Sequence, residues 1–582
     1  MAITWYGNQS GSESCNLGSL AVVWPLLERM DVGGIIDRHL PADPQAEFSH
    51  GTILSLLVAA RLYSPVALYN VADWAAEAGA DIIWDMPPEK INDDRLGRSL
   101  DRFFDQRHSI LASLALHVCK QFDVSLEELH YDPTHILFHG EYATSQPRST
   151  TLCEQGEVRS DATLSPAHIT GGRRMSDAPS KALMIHGGLC VTVDQYGGLP
   201  IFGHTVDGNH NGHTAVAQQY ELLRKHLPLK RLLLISDRGT FSAGHLARLQ
   251  ADGFHALCSA PWNDYRTLFD AHRQALVWKE ASYLSIEQRR RRETNSSLPQ
   301  EHYELAVLRH ELTDHESGVK IPCRVIFAFS TADQKVARKT REKAVTRIQQ
   351  GLEKLARSVA EGRRYTDPAS VARRMNKLFG KRAAAAYFSY EMVPLSAQQR
   401  AALPAPARGC KVAQHRLEFS YDAQAARRDE IYDGISVLVT TVPPQQSSAD
   451  LLFTKFKQQN HSELANHQWK TPLAVHPVFL KSPRRVEALV FLMMIALTAY
   501  YLLQRMYRQA VPADAPLKEH RTTTETILRA FCKYTLILQK NRYGRIVYPT
   551  RLTARQRQIL TQLGFRTPAQ ILSQILPRPP PN

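Results

Sequence analysis

No CxxC pair occurs in this sequence, although eight cysteines (15, 119, 153, 190, 258, 323, 410 and 532) are spread along it. That scatter excludes a zinc ribbon and a secreted disulfide framework, both of which need closely spaced thiols. The opening MAITWYGNQSGSES lacks a basic run leading into an apolar core, so no signal peptide is expected. Long hydrophobic runs are scarce too. The longest, ALVFLMMIALTAYYLL (488–503), is 16 residues without a charge, bracketed by Glu487 and Arg505. That is short for a bilayer span, so a buried core helix in a reducing cytoplasm, with no membrane, is expected. No internal repeat is present. Acid is in deficit: 56 Asp+Glu face 71 Lys+Arg, a formal net charge of +15. An excess of that size favours a polyanionic partner, nucleic acid or anionic lipid.

What is present is globular. The 582 residues are 43% hydrophobic and 22% charged, enough for about three to five domains with real cores. Residues 1–122 read as helical, because SHGTILSLLVAARLY (49–63) and RLGRSLDRFFDQRHSILASLALHVCKQF (95–122) carry apolar residues at helical spacing. This segment is a candidate DNA-contacting domain. From 123 to 261 the period changes. LEELHYDPTHILFHG (126–140) reads as a strand, and ALMIHGGLCVTVDQYGGLPIFGHTVDG (182–208) as a hairpin turning at Gly197–Gly198. The strand LLLIS follows, then a helix capped by Ser242 and the strand FHALCSA (254–260). Three antiparallel strands and then strand–helix–strand is the order of a ribonuclease-H-like core. Residues 262–430 interrupt it with an RRRR run (289–292), the strands YELAVLRHEL and PCRVIFAFS, and a charged helix from Ala332 to about Ala360. Residues 431–510 resume the core with a long helical run from about 449 to 508. Residues 511–582 form a basic tail ending PRPPPN.

Two acids stand at strand ends: Asp132 in HYDPTH and Asp237 in ISDRG. If their strands are neighbours, both carboxylates project at one point. Like charges that close are tolerable around a cation, and hard oxygen ligands select Mg²⁺ or Mn²⁺. Taken singly, either acid would equally well cap a helix or pair with an arginine. The stretch FKQQNHSELANHQWK (456–470) adds Phe456, Gln459, Glu463 and Lys470 at offsets 0, 3, 7 and 14. On one continuous helix they fall within roughly 60° of arc. Such a face is usually a solvated surface. Beside two strand carboxylates it could complete a metal site with a phosphate-binding lysine.

At these residues the sequence resembles the DDE transposases of bacterial insertion sequences, in the branch whose third-acid helix reads Y, two residues, R, three residues, E, six residues, K. Phe456, Gln459, Glu463 and Lys470 match every interval. Asp132 in YDPTHI and Asp237 in ISDRGTFS fall where that superfamily places its first two acids. NDDRLGRSLDRF (92–103), VDGNHNGHT (206–214) and PLAVHPVFLKSPRRVEALVFL (472–492) resemble the insertion-sequence family numbered 1634. The resemblance runs from about residue 15 to 565. It implies an α/β fold: a ribonuclease-H-like mixed-sheet core interrupted by a large β-containing insertion, with a helical N-terminal domain. It implies Asp132, Asp237 and Glu463 as catalytic metal ligands for two Mg²⁺ or Mn²⁺ ions. It also implies cleavage at terminal inverted repeats of double-stranded DNA, strand transfer into a target, and a homodimer on paired ends. Lys470, Gln459, Phe456, Arg238 and Trp469 are then DNA-contact candidates, and Gly239 lets the chain turn away from Asp237. Phe456 and Gln459 depart from the family's tyrosine and arginine, which removes a hydroxyl and a cation. A nuclease of the same fold without strand transfer, and a decayed or domesticated DNA-binding protein, are the alternative readings.

Other residues carry weaker signals. His204, His210 and His213 invite a zinc reading, yet no HExxH or cysteine partner accompanies them. Asp207, Asn209 and Thr214 are expected to shape the active-site rim. The RRRR run is either a solvated patch or a DNA-backbone contact. Trp469 either stacks on a base or belongs to the core.

Overall fold

The computed structural model describes residues 12–41, 45–63, 66–138, 140–148, 165–171, 183–210, 212–240, 242–285, 288, 301–362, 365, 367–380, 382–405, 411–470, 480–541 and 544–570. The RRRR run, residues 472–479 of the PLAVHPVFLK motif and the PRPPPN tail lie outside them, as do the side chains of His213 and Thr214. The chain begins with a short strand, β1 (Ser12–Cys15), and a set of helices that includes Leu20–Arg29, His50–Tyr63 and Asp93–Phe122. The last of these starts where the sequence instructs it to. The Asn92 side chain accepts from the Arg95 N–H, and Asp93 and Asp94 fill the first turn, where the helix dipole favours acids.

A ten-stranded mixed sheet follows. Its members are β2 (Glu128–Phe138), β3 (Thr170–Gly171), β4 (Leu183–Asp194), β5 (Gly197–Asp207), β6 (Leu233–Ser236), β7 (His255–Ala260), β8 (Lys279–Glu280), β9 (Tyr303–Thr313), β10 (Lys320–Ser330) and, after a ribbon of β11 (Phe388–Pro394) and β12 (His415–Tyr421), β13 (Ile435–Thr440). The strands run β3-β4-β2-β6-β7-β13-β10-β9-β8, with β5 also on β4. β4 is antiparallel to both of its neighbours, β2 and β5, whereas β6 lies parallel to β2 and β7 parallel to β6. The β4–β5 turn is at Gln195–Tyr196, two residues before the expected Gly197–Gly198. The Asp194 side chain accepts from the Tyr196 N–H there, and Gly197, at φ 126°, begins β5.

The sheet explains part of the insertion. β8, β9, β10 and β13 do not form a body of their own; they extend the core sheet by antiparallel pairing beyond β7. Within the insertion, the helices Thr331–Ala360 and Pro368–Phe379 pack with the β11–β12 ribbon into an apolar cluster of their own, around Ile348, Leu352, Val371 and Met375. The N-terminal helices are likewise not a detached unit. One apolar core runs from Leu54 and Phe103 through Val191 and Leu234 to Phe491, Ile527 and Leu560. The boundaries expected near 122 and 510 therefore cut through shared packing. β1 pairs with β14 (Leu536–Asn541), which also pairs with β15 (Gly544–Pro549), so the two ends of the described chain meet in one small sheet.

The centre of that core is the helix Pro483–Gln509, which contains the 16-residue apolar run. It is long and apolar enough to cross a membrane, but its most apolar window is entirely buried inside the protein. Glu487 on its first turns is buried as well. Its carboxylate accepts from Arg107 Nε at 2.9 Å, from Arg148 at 2.7 and 2.8 Å, from Thr205 Oγ1 at 2.8 Å and from the Ala167 N–H at 2.6 Å. Burial pushes this carboxyl up, but the two guanidinium groups and the added donors hold it below its ordinary value.

Candidate active site

Register brings the first two acids together. In the parallel β2–β6 pair Tyr131 stands opposite Ser236, so the next residue on each strand, Asp132 and Asp237, emerges at the same carboxyl-end edge. Clefts form at that edge in open α/β sheets. Asp132 remains within β2 and is half-buried; Asp237 lies just past the end of β6 and is exposed. Residues 238–240 form a short 3₁₀ turn in which the Thr240 N–H returns to the Asp237 carbonyl at 3.0 Å. The expected role of Gly239 is corrected here: its φ is not left-handed, and open space surrounds the position of a Cβ. The constraint falls on Gly212, whose Cβ would meet the Gly239 carbonyl oxygen at 2.3 Å.

The third acid arrives on the helix Asn460–Lys470, and its aim is set by Trp469. That indole is wholly buried over β4, where a Cβ on Gly187 would stand 2.6 Å from the ring. Trp469 is thus a packing plug, and the base-stacking expectation is overturned by its burial. With Trp469 seated, the adjoining strip of the helix, one turn back at Asn466, looks over Asp132. Asn466 Nδ2 donates to the Asp132 carboxylate at 2.9 Å and to its backbone carbonyl at 3.2 Å. Glu463 and Lys470 share that face, three residues before and four after Asn466. The electrostatics register all of them. The Asp132 carboxyl is pushed up to about 6, chiefly by burial and then by the charges of Glu463 and Asp237, against the Asn466 hydrogen bond and Lys470.

The four-residue face expected over 456–470 does not exist as one surface. The helix breaks at Gln458–Gln459, between Ala449–Lys457 and Asn460–Lys470. Phe456 therefore belongs to the preceding helix, where it packs against the apolar cluster of Ile235, Leu257, Tyr303 and Phe453. Gln459 is buried, with its Oε1 lacking a donor among the described residues. Neither shares the Glu463 face of the helix. Arg238 is exposed and makes no ion pair among the described residues. Its backbone N–H donates to Ser259 Oγ at 2.8 Å, and that hydroxyl donates to Asp237 Oδ1 at 2.6 Å.

Two side chains that touch the acids were missed in the sequence. Ser259 sits on β7, one strand over, and only the sheet order reveals it. Asn466 was accessible, since it lies three residues from Glu463 on the same helical face. Among the described residues no three His, Cys, Asp or Glu side chains converge tightly enough to cage a metal ion. Asp132 is turned to Asn466 and Asp237 to Ser259. The donor set itself is all hard carboxylate oxygen, and the crowding of negative charge on Asp132 is of the kind a divalent cation relieves.

The expected rim residue Asp207 has another task. It is buried and accepts from the Arg148 N–H at 2.9 Å and the His168 N–H at 2.8 Å, latching the segment between β2 and β4. His204 is buried beside Tyr131, with ring centroids 6.0 Å apart, and burial holds its imidazole down at about 3, a neutral core histidine.

Comparison with known families decides what this arrangement belongs to. A family model described as a transposase DDE domain matches residues 160–499, more than half of the chain. The chain belongs to the DDE transposase family. Asp237, Glu463 and Lys470 of this transposase lie inside the matched stretch, whereas Asp132 lies upstream of it. A second model, described as a domain of unknown function (DUF4277), matches residues 12–116 and thus the N-terminal helices. No curated protein matches the chain.

Proposed function

We propose that this transposase is that of an insertion sequence, cutting at the terminal inverted repeats of its own element and joining the freed ends to target DNA. The observation that carries the reading is the adjacency of Asp132 and Asp237 on two parallel strands beneath the Glu463–Asn466–Lys470 face. The strand order β5-β4-β2-β6-β7, three antiparallel and then two parallel, supports a ribonuclease-H-like core around them.

In this reading Asp132, Asp237 and Glu463 hold Mg²⁺ or Mn²⁺. Bound there, two such ions supply Lewis acidity for in-line attack on a phosphodiester and for departure of its 3′-oxygen. Asn466 and Ser259 position the carboxylates of Asp132 and Asp237. Lys470 offsets the charge of a phosphate next to the acids, and Arg238, exposed at the same edge, is available to the DNA backbone. The N-terminal segment 1–122 recognises the element ends, and two copies act on paired ends. The insertion 262–430 is read as a module attached to the core through its strands.

The test uses duplex end DNA with divalent metal. Asp132→Asn, Asp237→Asn and Glu463→Gln should each abolish cleavage while binding of the ends persists, because the amide keeps the shape and loses the charge. Substantial cutting by any one removes that residue from the site. Pre-cut ends bearing 3′-hydroxyls, supplied with a target plasmid, should yield joined products. Cutting without joining would leave a nuclease.

A further inference from the structure

A second site lies behind the third-acid helix. A cleft of about 560 Å³ opens between the end of the His50–Tyr63 helix, the Asn460–Lys470 helix, the Pro483–Gln509 helix and the Thr524–Ala530 helix. Arg61 lines it. This guanidinium is 8% exposed, and its Nε is buried without an acceptor. No carboxylate pairs with Arg61 among the described residues. Every other described arginine buried to this degree has found an acceptor: Arg107 and Arg148 have Glu487, Arg505 has Asp194, and Arg324 has the Val442 carbonyl. Leaving one buried cation unmatched is costly unless something supplies the missing anion.

The remaining walls suit an anion. Ser19, at the start of the Leu20–Arg29 helix, lines the cleft and spends no side-chain hydrogen bond on capping that helix, whose amino end carries partial positive charge. Arg529 lines it as well. Its charge is already answered by Glu525, the one carboxylate in the lining. Among the described residues, Arg61 is therefore the cation in this lining without a partner. Burial lowers its guanidinium to about 10, so it stays protonated at neutral pH.

We propose that this cleft binds a phosphate-class oxyanion on Arg61. Gln468, also in the lining, lies five residues beyond Glu463 and so about 140° around the same helix. An anion here braces the third-acid helix from the face turned away from Asp132, tying it to the N-terminal and C-terminal helices. Two sources offer the same chemistry: a backbone phosphate of bound DNA, or free phosphate.

The experiment compares wild type, Arg61→Met and Arg529→Gln at constant ionic strength, with inorganic phosphate in one arm and a labelled duplex in the other. If free phosphate is the ligand, phosphate raises the wild-type melting temperature. Arg61→Met weakens that response roughly tenfold or more, Arg529→Gln leaves it, and duplex affinity is unchanged. If the ligand is a DNA phosphate, Arg61→Met weakens duplex binding and flattens its log–log salt dependence by about one. Should Arg61→Met fail to fold, wild type alone still answers. Cys532 lines the cleft and is exposed, so a bound anion should slow its alkylation, read by mass spectrometry of that peptide with phosphate or duplex present. Equal phosphate response and equal duplex binding in a folded Arg61→Met protein would overturn the proposal. So would unchanged Cys532 reactivity in both arms.

Discussion

Glu487→Gln is the most informative structural perturbation, because one carboxylate joins segments distant in the chain. Its oxygens hold Arg107 of the Asp93–Phe122 helix, Arg148 and Ala167 of the segment between β2 and β4, and Thr205 of β5. The amide keeps the volume but loses the charge, leaving two guanidinium groups that are 1% and 7% exposed without a counter-ion. Breaking a buried pair in this way costs roughly 3–5 kcal/mol, a large fraction of a domain's stability of about 5–15 kcal/mol. The effect is pH-dependent with a defined sign. Glu487 is held below its ordinary value, so its stabilisation is fully present above the unfolded-state carboxyl value of about 4.3 and is lost as pH falls through the folded one. Thermal unfolding followed by tryptophan fluorescence should therefore separate wild type and Glu487→Gln widely at pH 7. The gap should begin to close as pH falls below the unfolded-state value and be lost as pH falls through the lower folded one. Replacing Glu487, Arg107 and Arg148 together by Met should recover much of the loss, since an apolar cluster has no stranded charge. A Glu487→Gln protein within about 1 kcal/mol of wild type at pH 7, or a gap that persists unchanged in acid, would refute the reasoning.

Trp469→Ala should destabilise the fold by about 3–5 kcal/mol through the cavity left over Gly187, while DNA affinity per folded molecule, measured by anisotropy, stays the same. Gln459→Arg places a cation at a buried position and should lower the melting temperature without tightening the binding of cleaved ends. Phe456→Tyr should be nearly silent in the same binding assay. Asn466→Ala removes the donor that positions Asp132 and should raise the divalent metal concentration needed for half-maximal cleavage by roughly 10–100-fold, read from a metal titration. Lys470→Ala should flatten the log–log salt dependence of duplex binding by about one; an unchanged slope would take Lys470 away from the phosphate backbone.

Local patterns were legible wherever the physics is local. Alternation and apolar runs located β2, β6, β7, β9 and β10 to within a few residues, because a strand's two faces are written into its own sequence. The Ser242 cap was equally readable, since its side chain accepts from the N–H of His245, three residues on. The buried status of the 488–503 run followed from its length and its flanking charges. The spacing of Glu463 and Lys470 also survived, because both lie on one unbroken helix.

Tertiary structure decided the rest. The Phe456–Gln459 half of the motif failed as a shared face because helical phase does not pass through the break at Gln458–Gln459, and no residue there announces that break. Whether Trp469 meets a base or the core depends on Gly187, 282 positions earlier, which leaves the hollow the indole fills. Ser259 reaches Asp237 only because β7 lies beside β6, and β13 with β10 extends the same sheet only because their edges find β7. The unpaired charge of Arg61 is the same kind of fact. Its neighbours come from helices far from it in the chain, so the sequence by itself determined the helix that carries it, and only packing decided that no described carboxylate would meet it.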